Sequence, residues 1–164
     1  MAFKDLGEFV EAVGRLGEAK RIEGADPMLE IGAITEVAAT AEKAPLLIFD
    51  RIKGHAPGYR VVTNIVNTPG RAALALGLPV TAGKIELVRL WKERVRSLKP
   101  VPPVEVRDGP VIRNLLSGNK VDITKFPAPT WHELDGGPYL GTACMVIMRD
   151  PDNPDWVNAG TYWV

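Results

Sequence analysis

Cysteine is almost missing from this chain of 164 residues: it holds one, Cys144. A single thiol cannot close an internal disulfide, and without a CxxC pair or a Cys/His cluster a structural zinc site is excluded. Such cysteine usage fits a reducing compartment, so the expected address is the cytoplasm. An excess of one charge is missing too, since 20 Lys and Arg balance 20 Asp and Glu. No net field draws the protein to nucleic acid or an anionic bilayer, and neither is an expected partner. No apolar run reaches the roughly eighteen residues of a membrane span, and MAFKDLGEF lacks a basic leader with an apolar core. GxSxG, P-loop and GxGxxG signatures are absent, which removes the familiar hydrolase and phosphate-cradling readings.

What is present is 46% apolar and 24% charged residues, enough to bury a real core. Leu6, Phe9, Val10, Val13 and Leu16 recur at helical spacing, with Asp5 as cap and Gly17 just past the end, predicting a helix over 5–16. KRIEGADP reads as a short strand and a turn. Asp26 is the expected N-cap and Pro27 the first residue of a second helix carrying Ile31, Ile34, Val37, Ala38 and Ala41. LLIFD and YRVVTNIV are strand candidates around the turn KGHAPG, in which His55 is expected to be solvated. Two more helices are expected over 69–77 and 83–98, the latter with a broad apolar face of Leu87, Val88, Trp91, Val95 and Leu98. The basic residues Arg89, Lys92, Arg94, Arg96 and Lys99 alternate with that face and suit solvent better than a phosphate.

Strands alternating with helices predict an α/β domain over residues 1–98. Composition then shifts, because nine of the fourteen prolines and six of the eleven aromatics lie from Pro100 onward. A second segment, 99–164, is expected to be a proline-rich connection followed by the first strands of a mostly β domain, YLGTACMVIM and DWVNAGTYWV, joined by the turn RDPDNP. Tyr162-Trp163-Val164 continues a strand-like run, and two strands cannot close a barrel or sandwich. The β segment is therefore expected to be incomplete, finished by another chain or by further sequence.

The densest polar constellation is FPAPTWHELDGGPYLGT, followed by DPDNPDWVNAGTY. Prolines stiffen it, Gly136 and Gly137 permit unusual dihedrals, and His132, Glu133 and Asp135 bring ionisable groups into a constrained loop. Those residues admit a functional site or a tight turn into the strand. Asn158 also admits two readings: a strand amide satisfied by neighbouring backbone, or a hard oxygen donor suited to magnesium, manganese or calcium. Cys144, in CMVIM, reads as a small buried hydrophobe.

DLGEFVEAVGRLGEAKRIEGAD, LEIGAITE, APLLIFDRIKGHAPGYRVVTN and the stretch FPAPTWHELDGGPYLGTACMVIMRDPDNPDWVNAGTY, in that order, resemble the UbiD family of prenylated-FMN-dependent decarboxylases. The resemblance implies reversible, non-oxidative decarboxylation of aromatic or α,β-unsaturated acids, with prenylated FMN, manganese and potassium. It implies a split-barrel, flavin-binding-like fold for the second segment, and a homo-oligomer or complementing subunit as partner. By the same resemblance Asn158 is a manganese ligand, Ala159 approaches potassium through its carbonyl, and Thr142, Gly160, Thr161 and Tyr162 lie along the flavin. His132, Glu133 and Asp135 take a structural role.

The family pattern NxGxYR ends in an arginine beside the substrate carboxylate, whereas this chain has Trp163. An indole offers one N–H and no charge, so no catalytic residue is assigned and the chain alone is expected to be inactive. The remaining metal ligands and catalytic glutamates of the family lie beyond the stretch that this chain matches. Two functions follow: the N-terminal part or split subunit of a UbiD-like decarboxylase, or a short non-catalytic paralogue serving as an assembly or regulatory partner.

Overall fold

The computed structural model describes residues 3–102, 104–142 and 144–164. The chain divides into two compact units, residues 18–64 with 124–164 and residues 1–17 with 65–123.

The first of these units is built on a three-stranded sheet ordered β1-β2-β3. β1 (Ala19–Glu23) runs parallel to β2 (Leu46–Asp50), from Ala19↔Leu46 to Glu23↔Asp50, and β3 (Val61–Thr63) is antiparallel to β2. Parallel neighbours require a crossover, and α2 (Glu30–Ala39) supplies it. The continuous apolar run Leu46, Leu47, Ile48 and Phe49 is buried throughout, as a strand covered on both faces must be. Leu47 and Phe49 form the core with Ala25, Ile31 and Ile52, and Ile22, Ile34, Ala38, Val61 and Trp131 pack against it. β3 is shorter than the apolar run YRVVTNIV suggests. Asn64 turns to φ 54°, ending the strand, and its amide donates to the Thr35 carbonyl at 3.1 Å.

The start of α2 departs from expectation. Asp26 and Pro27 do not open it; the helix begins at Glu30, after Leu29 at φ 67°. The intervening residues are held elsewhere: Met28 forms a parallel bridge to Thr130, the Leu29 N–H donates to the Thr130 carbonyl at 2.9 Å, and the Thr130 N–H donates to Pro27 at 3.0 Å. A backbone group bonded across to another segment cannot also enter a helix. The Asp26 carboxylate instead accepts from the Met28 N–H and from Lys53 Nζ at 2.7 Å. That ion pair holds the Asp26 carboxyl below its usual range and the Lys53 ammonium above its own.

The same unit carries a second sheet, a two-stranded ribbon in which β4 (Cys144–Arg149) is antiparallel to β5 (Val157–Tyr162). Its turn is the expected one: the Asp150 carboxylate accepts from the Asp152 and Asn153 N–H groups, both at 2.8 Å. Between 99 and 142 the described residues form three short 3-10 helices, Pro110–Ile112, Gly118–Lys120 and Ile123–Lys125, and no strand. The β character of the second segment is thus confined to β4 and β5. Proline and glycine interrupt the upstream stretch too often for a ladder. The molecule is mixed α/β with small sheets.

The other unit is helical. α1 (Leu6–Arg15) forms as its spacing predicts, with the Asp5 carboxylate accepting from the Glu8 N–H at 2.8 Å, Phe9 and Val13 buried, and Gly17 at φ 72° closing the end. α3 (Pro69–Ala75) starts on Thr68, whose hydroxyl accepts from the Arg71 N–H, with Pro69 in its first turn. α4 (Lys84–Ser97) forms within its expected span, and none of its residues is buried. Arg94 on α4 donates to the carbonyls of Leu76 and Gly77 at the end of α3, where a helix leaves acceptors unsatisfied.

Candidate functional site

The loop between Phe126 and Thr142 is fixed before it reaches β4. Pro127 and Pro129 are buried, and Thr130 is bridged to Met28. α2 approaches the loop at Gly32, where an added Cβ would stand 2.2 Å from the Trp131 carbonyl oxygen. Only glycine permits that contact. The Asp135 carboxylate accepts from the Trp131 N–H at 3.2 Å and the His132 N–H at 2.9 Å, and the Asp135 N–H donates back to the His132 carbonyl. His132 Nε2 lies 2.7 Å from Glu36 Oε1 on α2, and its Nδ1 is 3.6 Å from Asp135. The hydrogen bond to Glu36, aided by the negative charge of Glu36 and Asp135, raises the imidazole pKa above its ordinary value. His132 and Asp135 thus tie the loop to the helix, while Glu133 is exposed.

A column of three aromatic rings joins this loop to the far end of β5. Trp131 and Tyr139 stack with centroids 5.8 Å apart, and Tyr139 and Trp163 stack at 5.4 Å with their planes 4° apart. Backbone pairing supports the column, because Leu140 and Gly141 donate to the Val164 carbonyl and the Val164 N–H returns to Gly141 at 3.1 Å. Burial, with the Asp135 charge, raises the Tyr139 phenol pKa above its ordinary value. The Trp131 indole N–H is buried and has no hydrogen-bond partner among the described residues.

Alternation along β5 separates the proposed cofactor residues onto two faces. Asn158, Gly160 and Tyr162 share one face with their partners Met148, Val146 and Cys144; Ala159 and Thr161 share the other with Ile147 and Met145. Asn158 and Gly160 are half-buried. The half-buried Asn158 therefore lies on the same face as Gly160 and Tyr162. The Tyr162 ring lies over Gly160, 2.6 Å from where a Cβ would sit. Thr142 is exposed, just before β4. The geometry therefore gathers Asn158, Gly160 and Tyr162, and leaves the Ala159 and Thr161 side chains behind the ribbon. Among the described residues no three His, Cys, Asp or Glu side chains gather as a metal centre, and no helix is long and apolar enough to cross a membrane.

Sequence reasoning missed Gly32, the Glu36 partner of His132, and the aromatic column. For Gly32 a signal existed: an isolated glycine inside the helical pattern LEIGAITE marks close packing. For Glu36 there was none, since 96 residues separate it from His132.

Comparison with known proteins supplies the lineage. The family model described as the 3-octaprenyl-4-hydroxybenzoate carboxy-lyase N-terminal domain matches residues 10–91, and that of the carboxy-lyase Rift-related domain matches residues 103–164. A pyrrole-2-carboxylic acid decarboxylase of Pseudomonas aeruginosa is 34% identical over 156 residues, covering 90% of this chain and 31% of that relative. Among solved structures, the vanillic acid decarboxylase of Sedimentibacter hydroxybenzoicus in closed form is 30% identical with a TM-score of 0.87, covering 99% of this chain and 35% of that one. Its open form with truncated ShVdcD is 30% identical with a TM-score of 0.86, covering 99% and 36%. This chain spans about a third of the length of these relatives. Two consecutive domain matches and a shared fold establish the kinship: the chain belongs to the UbiD family of carboxy-lyases.

Proposed function

We propose that this chain is the N-terminal part, or a split subunit, of a decarboxylase acting reversibly and non-oxidatively on aromatic or α,β-unsaturated carboxylic acids. The relatives named above are decarboxylases of a pyrrole acid and an aromatic acid, which supports that substrate class. The observation that carries the reading is Asn158: a half-buried amide on β5, on the same face as Gly160 and Tyr162. Its donor chemistry fits manganese, but one ligand cannot hold a divalent ion against water, so the other ligands come from outside these residues. Ala159 would offer its carbonyl to potassium, and Thr142, Gly160, Thr161 and Tyr162 would line the prenylated FMN, with Gly160 leaving space that the Tyr162 ring takes up. When bound, that flavin supplies an electron sink for the departing carboxylate. The task of this chain is then to hold and orient, and by itself it is inactive. Residues 1–98 and 99–164 would be the two inherited domains, the second continuing into a split barrel.

The ribbon supports a complementing polypeptide or homo-oligomer. Met145, Ile147 and Val157 project from one face and are more than half exposed, and a two-stranded ribbon is marginal on its own. The free Cys144 suits a cytoplasmic setting.

One observation favours the second reading, a non-catalytic paralogue that assists a full-length relative. Trp163 stands where the family arginine is expected, and its ring is stacked on Tyr139. Losing a charged partner of a reacting carboxylate costs on the order of a hundredfold to a thousandfold in rate. The test mixes this chain with a polypeptide carrying the remaining family domains, prenylated FMN and manganese, and follows bound flavin absorbance and carbon dioxide release. Turnover supports the split enzyme. Flavin binding without turnover, with turnover gained on Trp163→Arg, supports the paralogue.

A further inference from the structure

The apolar seam of α4 is exposed. With about 100° between successive residues, Val88, Trp91 and Val95, together with the capping residue Leu98 just past the helix, fall within a strip about 80° wide. All four are exposed, at 67%, 39%, 46% and 62%. Their spacing of three, four and three residues is that of a helix-pairing seam. The two edges of the seam differ. On one side lie the half-buried Leu87 and Leu90 with Arg94, which is bound to the end of α3. On the other side stand Lys92, Arg96 and Arg89, all exposed and all basic, while Glu86 and Glu93 lie around the back of the helix.

The geometry points to α4 as a docking strip for a partner helix that is apolar along one stripe and acidic along the stripe's edge. The open edge begins at the exposed Ile85 and then carries three basic side chains, Arg89, Lys92 and Arg96, which opposite charge on the incoming helix satisfies. A second copy of α4 fits poorly, because antiparallel pairing sets each basic edge against itself, and parallel pairing sets it on the side already taken by α3. A bilayer surface fits poorly as well, since helices that lie in lipid headgroups present a broader apolar face than an 80° strip walled by α3.

The test uses the full chain and two labelled synthetic peptides of about three heptads, both with leucine along the seam, one flanked by glutamate and the other by lysine. Fluorescence anisotropy should give at least about tenfold tighter binding of the glutamate peptide at low salt, with the gap narrowing as salt rises. Val88→Ser with Val95→Ser should remove binding of both peptides. These side chains are exposed, so the fold is preserved. Lys92→Glu with Arg96→Glu should reverse the order of the peptides and keep the seam. Equal binding of the two peptides, or binding of neither, overturns the proposal. So does self-association in sedimentation, or binding to phosphatidylserine vesicles, that the serine double variant abolishes while the glutamate peptide fails to bind.

Discussion

The three-stranded layer and the β4–β5 ribbon belong to one unit yet follow opposite rules. In the layer, β2 is buried from Leu46 to Phe49, α2 closes on the loop through Gly32, and Thr35, Thr63 and Asn64 hydrogen-bond to one another across it. In the ribbon, Met145, Ile147, Val157 and Trp163 are all about half exposed or more, and Asn158 is only half-buried. The layer is a finished structure, and the ribbon is half of one. On the proposed function, the ribbon is the part that would carry the site.

Substitutions can break that contrast. Phe49→Ala empties a fully buried site in the layer and should cost about 4 kcal/mol in urea unfolding, whereas Ile147→Ala on the open ribbon should cost less than about 0.5 kcal/mol. Comparable losses would mean that the ribbon is packed after all. Next in size is Gly32→Ala, whose Cβ would meet the backbone of Trp131 and should cost about 2–3 kcal/mol. Gly14→Ala in α1, with open space around the Cβ, should instead stabilise by up to about 1 kcal/mol. Equal effects would remove Gly32 as the point where helix and loop are locked.

Smaller effects sharpen the joint between the two regions. Trp163→Ala should lose the stack on Tyr139 and cost about 1 kcal/mol, measured by the same unfolding curves. Trp163→Leu, apolar but not flat, should recover little of it. The His132–Glu36 tie gives the smallest effect and a pH signature. Its folded pKa is raised above the ordinary 6.5, so its contribution is complete below that pH and disappears as pH rises through the folded value. Melting temperatures of the wild type and Glu36→Gln should therefore differ most in mild acid and converge in mild alkali. A difference that widens with pH would contradict the assignment.

Much of the layer was legible in the sequence because its signals are local. Asp5 and Gly17 bracket α1, Pro69 opens α3, and a four-residue apolar run between Pro45 and Asp50 is too short for a helix and suits a covered strand. The start of α2 was misread because Met28 and Leu29 bond to Thr130, a partner that no local pattern discloses. The breadth of the α4 face was legible, but its exposure was not, since periodicity says which residues share a face and nothing about what covers it. In the candidate site, Asn158 and its neighbours are proposed through family resemblance. Strand alternation then separates the Ala159 and Thr161 side chains from Asn158, Gly160 and Tyr162. The aromatic column joins residues 131, 139 and 163, and spacing alone gave no sign of it.

The central claim, that the ribbon presents Asn158 as one ligand of a shared metal and flavin site, is tested most directly by manganese electron paramagnetic resonance. The measurement is made on the assembly of this chain with the remaining family domains and prenylated FMN. The wild-type assembly should show bound manganese in step with flavin, and Asn158→Ala should weaken manganese retention at least about tenfold with the unfolding curve unchanged. Manganese and flavin retained in full by the alanine variant would contradict the account.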